Sequence, residues 1–118
     1  MRVKRTTIDR VDNGDYIDVD VIVTMDDKYN SQYRWCPYKE VETGKFGMGH
    51  CEFASNPHAD WEEAGNMPPP PIQQEYLRVA REVAENLQMP YIRLLAAMTK
   101  HYDLDTHSVA GSNENEPV

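Results

Sequence analysis

The first part of the chain alternates strictly. In DYIDVDVIVTMDD, Ile17, Val19, Val21, Val23 and Met25 take every second place, with Asp18, Asp20, Ile22 and Thr24 between them. A period of two belongs to a strand with one dry face and one mostly wet face. VKRTTIDRV precedes it across the turn signal DNG, so the two stretches read as a β-hairpin. Two registers are open. A two-residue Asn13-Gly14 turn sets Asp9 opposite Asp18, whereas a three-residue loop with Gly14 left-handed sets Asp9 opposite Ile17 and Val3 opposite Val23. The second joins apolar to apolar and is preferred. It also puts Lys4, Thr6 and Arg10 on the face of Asp18 and Asp20, where they offset those acids. After the turn DDKYNSQ, YRWCPYKEVE reads as a third strand, and Pro37, which has no N–H to give to a ladder, places it at the sheet edge.

Further on the period changes. Ile72, Tyr76, Val79, Ala80, Val83, Ala84 and Leu87 recur at helical spacing, with Gln73, Glu75, Arg78, Glu82 and Glu85 opposite. Pro90 interrupts, and because proline is tolerated in a first helical turn, a second helix is expected from Pro90 to about Tyr102. Ile92, Leu95, Ala96 and Met98, with Tyr91 and Leu94 beside them, leave it only a narrow polar side at Arg93 and Lys100. A helix this apolar is buried or lies between subunits, which suggests a homodimer through it. Between the two regions, TGKFGMGH reads as a glycine-rich turn and NMPPPPI as a stiff polyproline II spacer. The expected fold class is α+β: an N-terminal antiparallel sheet, made of the hairpin and a third edge strand, then the proline-rich spacer and two C-terminal helices. Residues 1–103 form a single domain, divided into a sheet over 1–42, loop and spacer over 43–71 and a helical hairpin over 72–103. The tail, 104–118, has little to bury and is expected to be disordered.

Charge narrows the range of partners. Twenty acids against 12 lysines and arginines give a net charge of −8 over 118 residues. Such a balance disfavours contacts that neutralise many phosphates and favours basic protein surfaces through long-range steering. The opening MRVKRTTIDR has no apolar core of a signal peptide behind its basic residues, and no run approaches the roughly 18 apolar residues of a membrane span. A cytoplasmic, soluble protein with two reduced cysteines is the expectation.

Chemistry is sparse. GHCEFASNPHADWEEAGN gathers His50, Cys51 and His58, which with Cys36 are the ligand types of a tetrahedral zinc site. The spacing opposes it, because structural zinc sites pair ligands two to four residues apart, whereas His50 and Cys51 are neighbours and Cys36 stands alone. His50, Asn56, His58 and Asp60 contain the residue types of a ββα-metal nuclease, but four prolines separate this loop from the first helix. A plainer account has Asn56-Pro57 open a turn, HADWEE form a short helix and Trp61 pin the loop to the core. REVAENLQMPYIRLLAAM resembles a helix-turn-helix, with Val83, Ala84, Leu87, Met89 and Leu94 where that motif buries side chains, yet it lacks the usual turn glycine and a basic cluster for phosphates. The glycines of TGKFGMGH match neither the P-loop nor the dinucleotide fingerprint, and no cofactor is called for.

The acids supply the remaining reading. Asp18, Asp20, Asp26, Asp27, Glu40, Glu42, Glu62 and Glu63 are able to form a surface like a phosphate array, provided they share a face. The expected function is therefore that of a small acidic, non-enzymatic interaction factor, accessory or inhibitory, with a basic protein partner. Its candidate contacts are Asp18, Asp20, Asp26 and Asp27 and the aromatic residues Tyr33, Trp35 and Tyr38. The alternatives are a helix-turn-helix DNA-binding regulator and a metal-dependent hydrolase or nuclease using the 50–60 loop.

Overall fold

A computed structural model describes residues 2–64 and 67–102. The strands are β1 (Val3–Asp12), β2 (Tyr16–Met25), β3 (Gln32–Trp35), β4 (Tyr38–Glu40), β5 (Phe46–Gly47), β6 (Cys51–Ala54) and β7 (Glu62–Glu63). Three helices follow: α1 (Pro70–Arg78), α2 (Ala80–Leu87) and α3 (Tyr91–His101). All strand pairs are antiparallel, and the fold is α+β, with the sheet preceding the helices.

The sheet is a meander whose third and fourth runs are each broken once. β2 pairs along its length with β1, and on its other side first with β4 and then with β3. β3 and β4 thus act as one strand interrupted at Cys36 and Pro37; β6 and β5 lie beyond them as a second interrupted run. The breaks face each other. The carbonyl oxygen of Pro37 accepts from the Val19 amide at 3.0 Å, and Trp35 Nε1 donates to the Met48 carbonyl at 2.6 Å. Gly49, at φ +68°, passes so close to Cys36 that a Cβ there would lie 2.0 Å from its carbonyl oxygen.

This arrangement corrects the expectation of an edge strand at Tyr33–Tyr38. The strand is internal: Pro37, opposite Val19, still accepts from the Val19 amide, and its missing N–H interrupts the ladder by one bond without ending it. The sheet also extends beyond residue 42: β5, β6 and β7 all lie in the stretch read as loop. They are two to four residues long, too short for a period to register in sequence.

The hairpin register differs too. Asn13 takes up the turn with its side chain, its Oδ1 accepting from the amides of Asp15 and Tyr16 at 3.2 and 2.8 Å, and its amide donates to the Tyr16 carbonyl at 3.1 Å. The tight turn therefore sits at Gly14 and Asp15, and Asp9 lies opposite Asp20, Ile8 opposite Val21 and Thr6 opposite Val23. The shift from the preferred register is three residues, an odd number, so the side chains of β1 from Arg5 onward change face, whereas Val3, beyond a bulge at Lys4, stays on the dry face opposite Met25. Thr6, Ile8 and Arg10 join the dry face, and Arg5, Thr7, Asp9 and Val11 join Asp18 and Asp20. The compensation expected from Lys4, Thr6 and Arg10 does not form.

The helices cover one face. Ile17, Val19, Val21, Val23 and Met25, each at most 2% exposed, pack with Trp35 and Cys51 against Ile72, Tyr76, Ala80, Val83, Ala84 and Leu87. These are the dry positions of β2 and the apolar helical positions predicted from spacing. The first helix begins at Pro70, so two prolines of the expected spacer form its first turn, where a missing N–H costs nothing. It yields two helices instead of one. At Val79 (φ −96°, ψ 5°) the backbone leaves helical geometry while its amide still bonds Glu75 O at 3.2 Å, and side-chain spacing is the same on either side. α2 ends in a Schellman motif with Gln88 left-handed at φ 55°, and Met89 N donates to Ala84 O at 3.0 Å. In α3, Leu94, Leu95 and Met98 are buried within the chain's own core, so the apolar face that suggested a homodimer is already covered; Ile92 remains 70% exposed. The expected tail, 104–118, lies outside the described residues.

Candidate functional site

The other face of the sheet carries no helix. Strand parity assigns it Arg5, Thr7, Asp9 and Val11 from β1, Tyr16, Asp18, Asp20, Ile22 and Thr24 from β2, Gln32 and Arg34 from β3, Tyr38 and Glu40 from β4, and Glu52 from β6. Its character changes along β2. At the Thr24 end the face is closed, with Thr24 and Ala54 buried and Gln32 Nε2 bonded to Thr24 Oγ1 at 3.1 Å. In the middle Arg34 bonds Glu52 Oε1 through Nη2 at 2.6 Å, and its guanidinium lies 4.5 Å from the centre of the Trp61 ring. Trp61 thus holds its loop to the open face, not to the core.

At the Tyr16 end the face is exposed. Tyr16 and Tyr38 meet edge to face, with centroids 6.0 Å apart, and both rings are more than a third exposed. The Tyr38 ring lies across Gly47, where a Cβ would come within 2.2 Å of it. Val11 is 54% exposed beside Asp18. Asp9 stands directly opposite Asp20, a cross-strand juxtaposition of like charges that disfavours the sheet. Burial, and then the charge of Asp20, push the Cys36 thiol up to about 12, which favours its protonated form at neutral pH.

The predicted contacts are thereby divided. Asp18, Asp20 and Tyr38 come together on the open face. Trp35 lies under the helices at 1% exposure, with its ring 5.1 Å from that of Tyr76. Tyr33 also points to the helix side, where it and Phe53, 5.1 Å apart, line an open pocket of about 630 Å³ with Met67, Pro69 and Gln73, and Glu62 and Glu63 at its rim. Asp26 and Asp27 lie at the far end of β2, roughly 27 Å from Asp18 at the rise of a strand. Asp27 organises the turn: it accepts from the hydroxyl and amide of Ser31 and from the Tyr29 amide, and the Ser31 hydroxyl holds its carboxyl below the usual range.

Tyr16, Asp9 and Val11 belong to the exposed end and were not among the predicted contacts. Tyr16 shares the parity of Asp18 and Asp20, so the strand itself offered that signal. Asp9 and Val11 depended on a register that the turn decided.

The four candidate zinc ligands do not converge. Cys51 faces the core with its Sγ 3.5 Å from Tyr76 Oη, Cys36 lies on the opposite face, and His50 and His58 are exposed. Among the described residues no group of three or more His, Cys, Asp or Glu side chains is arranged to hold a metal ion. Asn56 opens a turn, its Oδ1 accepting from the His58 amide at 2.8 Å, but the stretch after it forms β7 and no helix. In the helix-turn-helix segment, Val83, Ala84, Leu87, Met89 and Leu94 are buried and Gln88 supplies the left-handed turn residue. Of its cations, Arg93 donates to the Gly44 carbonyl at 3.1 Å and Arg81 stacks 4.1 Å from the Tyr91 ring centre. No described helix is long and apolar enough to cross a membrane. The chain matches no known protein family, no curated protein and no solved structure.

Proposed function

We propose that this protein acts by contact, without turnover, as an accessory or inhibitory factor whose open sheet face receives a basic segment of a protein partner. One observation carries the reading: the Tyr16–Tyr38 ring pair and the carboxylates Asp18 and Asp20 occupy the same uncovered end of the sheet, with Asp9 opposed to Asp20. Exposed rings offer a face to guanidinium or ammonium groups, at about 0.5–1 kcal/mol for each exposed contact. A cation seated there also removes the repulsion between Asp9 and Asp20. The net charge of −8 steers a basic partner toward the molecule and excludes acidic ones. Cytoplasmic residence belongs to the same proposal, in keeping with Cys36 and Cys51 as unbonded thiols on opposite faces.

The test is a titration of the isotope-labelled full chain with an arginine-rich peptide, read from its amide shifts. Shifts centred on Tyr16, Asp18, Asp20 and Tyr38 that fade with added salt and with Asp20→Lys support the face. Shifts confined to the turn at Asp26 and Asp27 or to α3, or indifferent to Asp20→Lys, overturn it.

A further inference from the structure

The two edges of the sheet are unlike. β7 is two residues long and carries two like charges, Glu62 and Glu63, so a second copy of that edge is repelled. β1 is ten residues long, holds no proline or glycine and mixes both signs of charge. Among the described residues no strand pairs with its outer side. Because Val19 and Met25 turn their amides toward Pro37 and Ser31, the even residues of β2 bond β1, and these are partnered by the odd residues Arg5, Thr7, Asp9 and Val11. The backbone groups of Thr6, Ile8 and Arg10 therefore point outward, unpaired within the sheet.

We infer that β1 pairs antiparallel with β1 of a second copy of this chain, about a two-fold axis at Thr7. A two-fold perpendicular to the sheet keeps each face on its own side, which allows only registers that set a residue against itself at the centre. Centring on Asp9 or Arg10 sets like charges in contact, and centring on Ile8 leaves Arg5 against Val11. Centring on Thr7 sets Arg5 against the partner's Asp9 and Asp9 against the partner's Arg5, both in non-hydrogen-bonded pairs, where side chains approach most closely. In this register Thr6 exchanges backbone bonds with the partner's Ile8, and the regular pairing ends at the bulge beside Val3, which turns to the helix side. The like-charged match it creates, Lys4 with the partner's Arg10, joins groups already engaged: Arg10 with Asp12 at 3.1 Å and Lys4 with Asn30 at 3.3 Å.

The resulting sheet is continuous through the dimer, with both helical layers on one side and both open faces on the other. Asp9 gains a counter-ion, while Asp18 and Asp20 stay free. The inference stands independently of the proposed function.

Sedimentation of the full chain over a concentration series tests it. Wild type is expected to dissociate from dimer to monomer on dilution. Arg5→Glu and Asp9→Arg, both at exposed positions, each weaken the dimer about tenfold or more, and the double swap restores it. Thr7→Cys cross-links to its own copy on mild oxidation, whereas Val11→Cys and wild type do not. A wild-type monomer throughout, a dimer indifferent to the charge swap, or Thr7→Cys that stays uncross-linked overturns the inference.

Discussion

The two faces of β2 are made by one strand and do opposite things. Ile17, Val19, Val21, Val23 and Met25 are sealed under three helices; Tyr16, Asp18 and Asp20, interleaved with them, meet solvent. The covered face holds its residues by exclusion of water, so its requirements are volume and shape. The open face holds like charges and exposed rings that contribute nothing comparable to folding. Folding stability and the proposed contact surface are thus separated by a single residue step along the chain.

Two aromatic residues of the third run put this separation to the sharpest test. Trp35 and Tyr38 are three residues apart, and the register to β2 is unchanged across Pro37, so strand parity places the first in the core and the second on the open face. Trp35→Ala is expected to cost roughly 3–5 kcal/mol, from lost burial and an unpartnered Met48 carbonyl. Tyr38→Ala is expected to cost less than about 1 kcal/mol and to weaken capture of an arginine-rich peptide instead. Urea unfolding of the two variants beside peptide titration separates them. Comparable losses of stability would show that the open face is part of the fold's support.

Next in size is the seam between the interrupted runs. Gly49→Ala places a methyl against Cys36 O at a left-handed residue, and neither backbone is free to retreat. A loss of about 2–3 kcal/mol by thermal or urea unfolding is expected, with Trp35 fluorescence reporting displacement of Met48.

Among the described residues the covered face contains one buried charge. Glu75, 8% exposed, accepts from Thr6 Oγ1 and from Arg78 Nε and Nη2 at 2.7 and 2.6 Å. The Arg78 hydrogen bonds, chiefly, hold its carboxyl below the ordinary glutamate value of 4.5. Its folded value is lower than its unfolded one, so the ionised group stabilises the fold fully above that ordinary value, and the contribution is lost as pH falls through the folded value. Glu75→Gln is expected to cost about 1–2 kcal/mol at neutral pH. Its deficit against wild type should shrink as pH drops below 4.5. Urea midpoints of both proteins across that range measure this; a deficit that stays constant would mean that Arg78 does not bond the charged form.

These differences trace what sequence could and could not convey. The dry face of β2 and the apolar positions from Ile72 to Leu87 were legible because burial repeats over many residues at one period. Asp18, Asp20 and Tyr38 were legible as candidates from residue type and strand character. Trp35 was grouped with the contact residues although it lies opposite Val21 on the dry face, and the strand's own place depended on β5 and β6, whose pairing is long-range and whose length shows no period. The register of β1 turned on whether Asn13 entered the turn as backbone or as a side-chain acceptor, which residue identity alone does not decide. Asp26 and Asp27 were grouped with Asp18 by charge, whereas the length of β2 keeps them apart.

The smallest effect carries the opposite sign and so tells most about the open face. Asp20 faces Asp9 across the hairpin and lies beside the Cys36 thiol; Arg34 attracts it only at a distance, being bonded to Glu52, and among the described residues no cation forms an ion pair with it. Asp20→Asn keeps the shape and removes one of two opposed charges, so it is expected to stabilise the protein by about 0.5 kcal/mol. The same change should weaken binding of an arginine-rich peptide severalfold, since it removes a carboxylate from beside the tyrosine pair. A residue whose removal improves the fold and impairs binding is placed for contact with something outside the molecule. If Asp20→Asn destabilises the protein instead, the carboxylate has an internal role, and the contrast between the two faces of β2 fails at its central position.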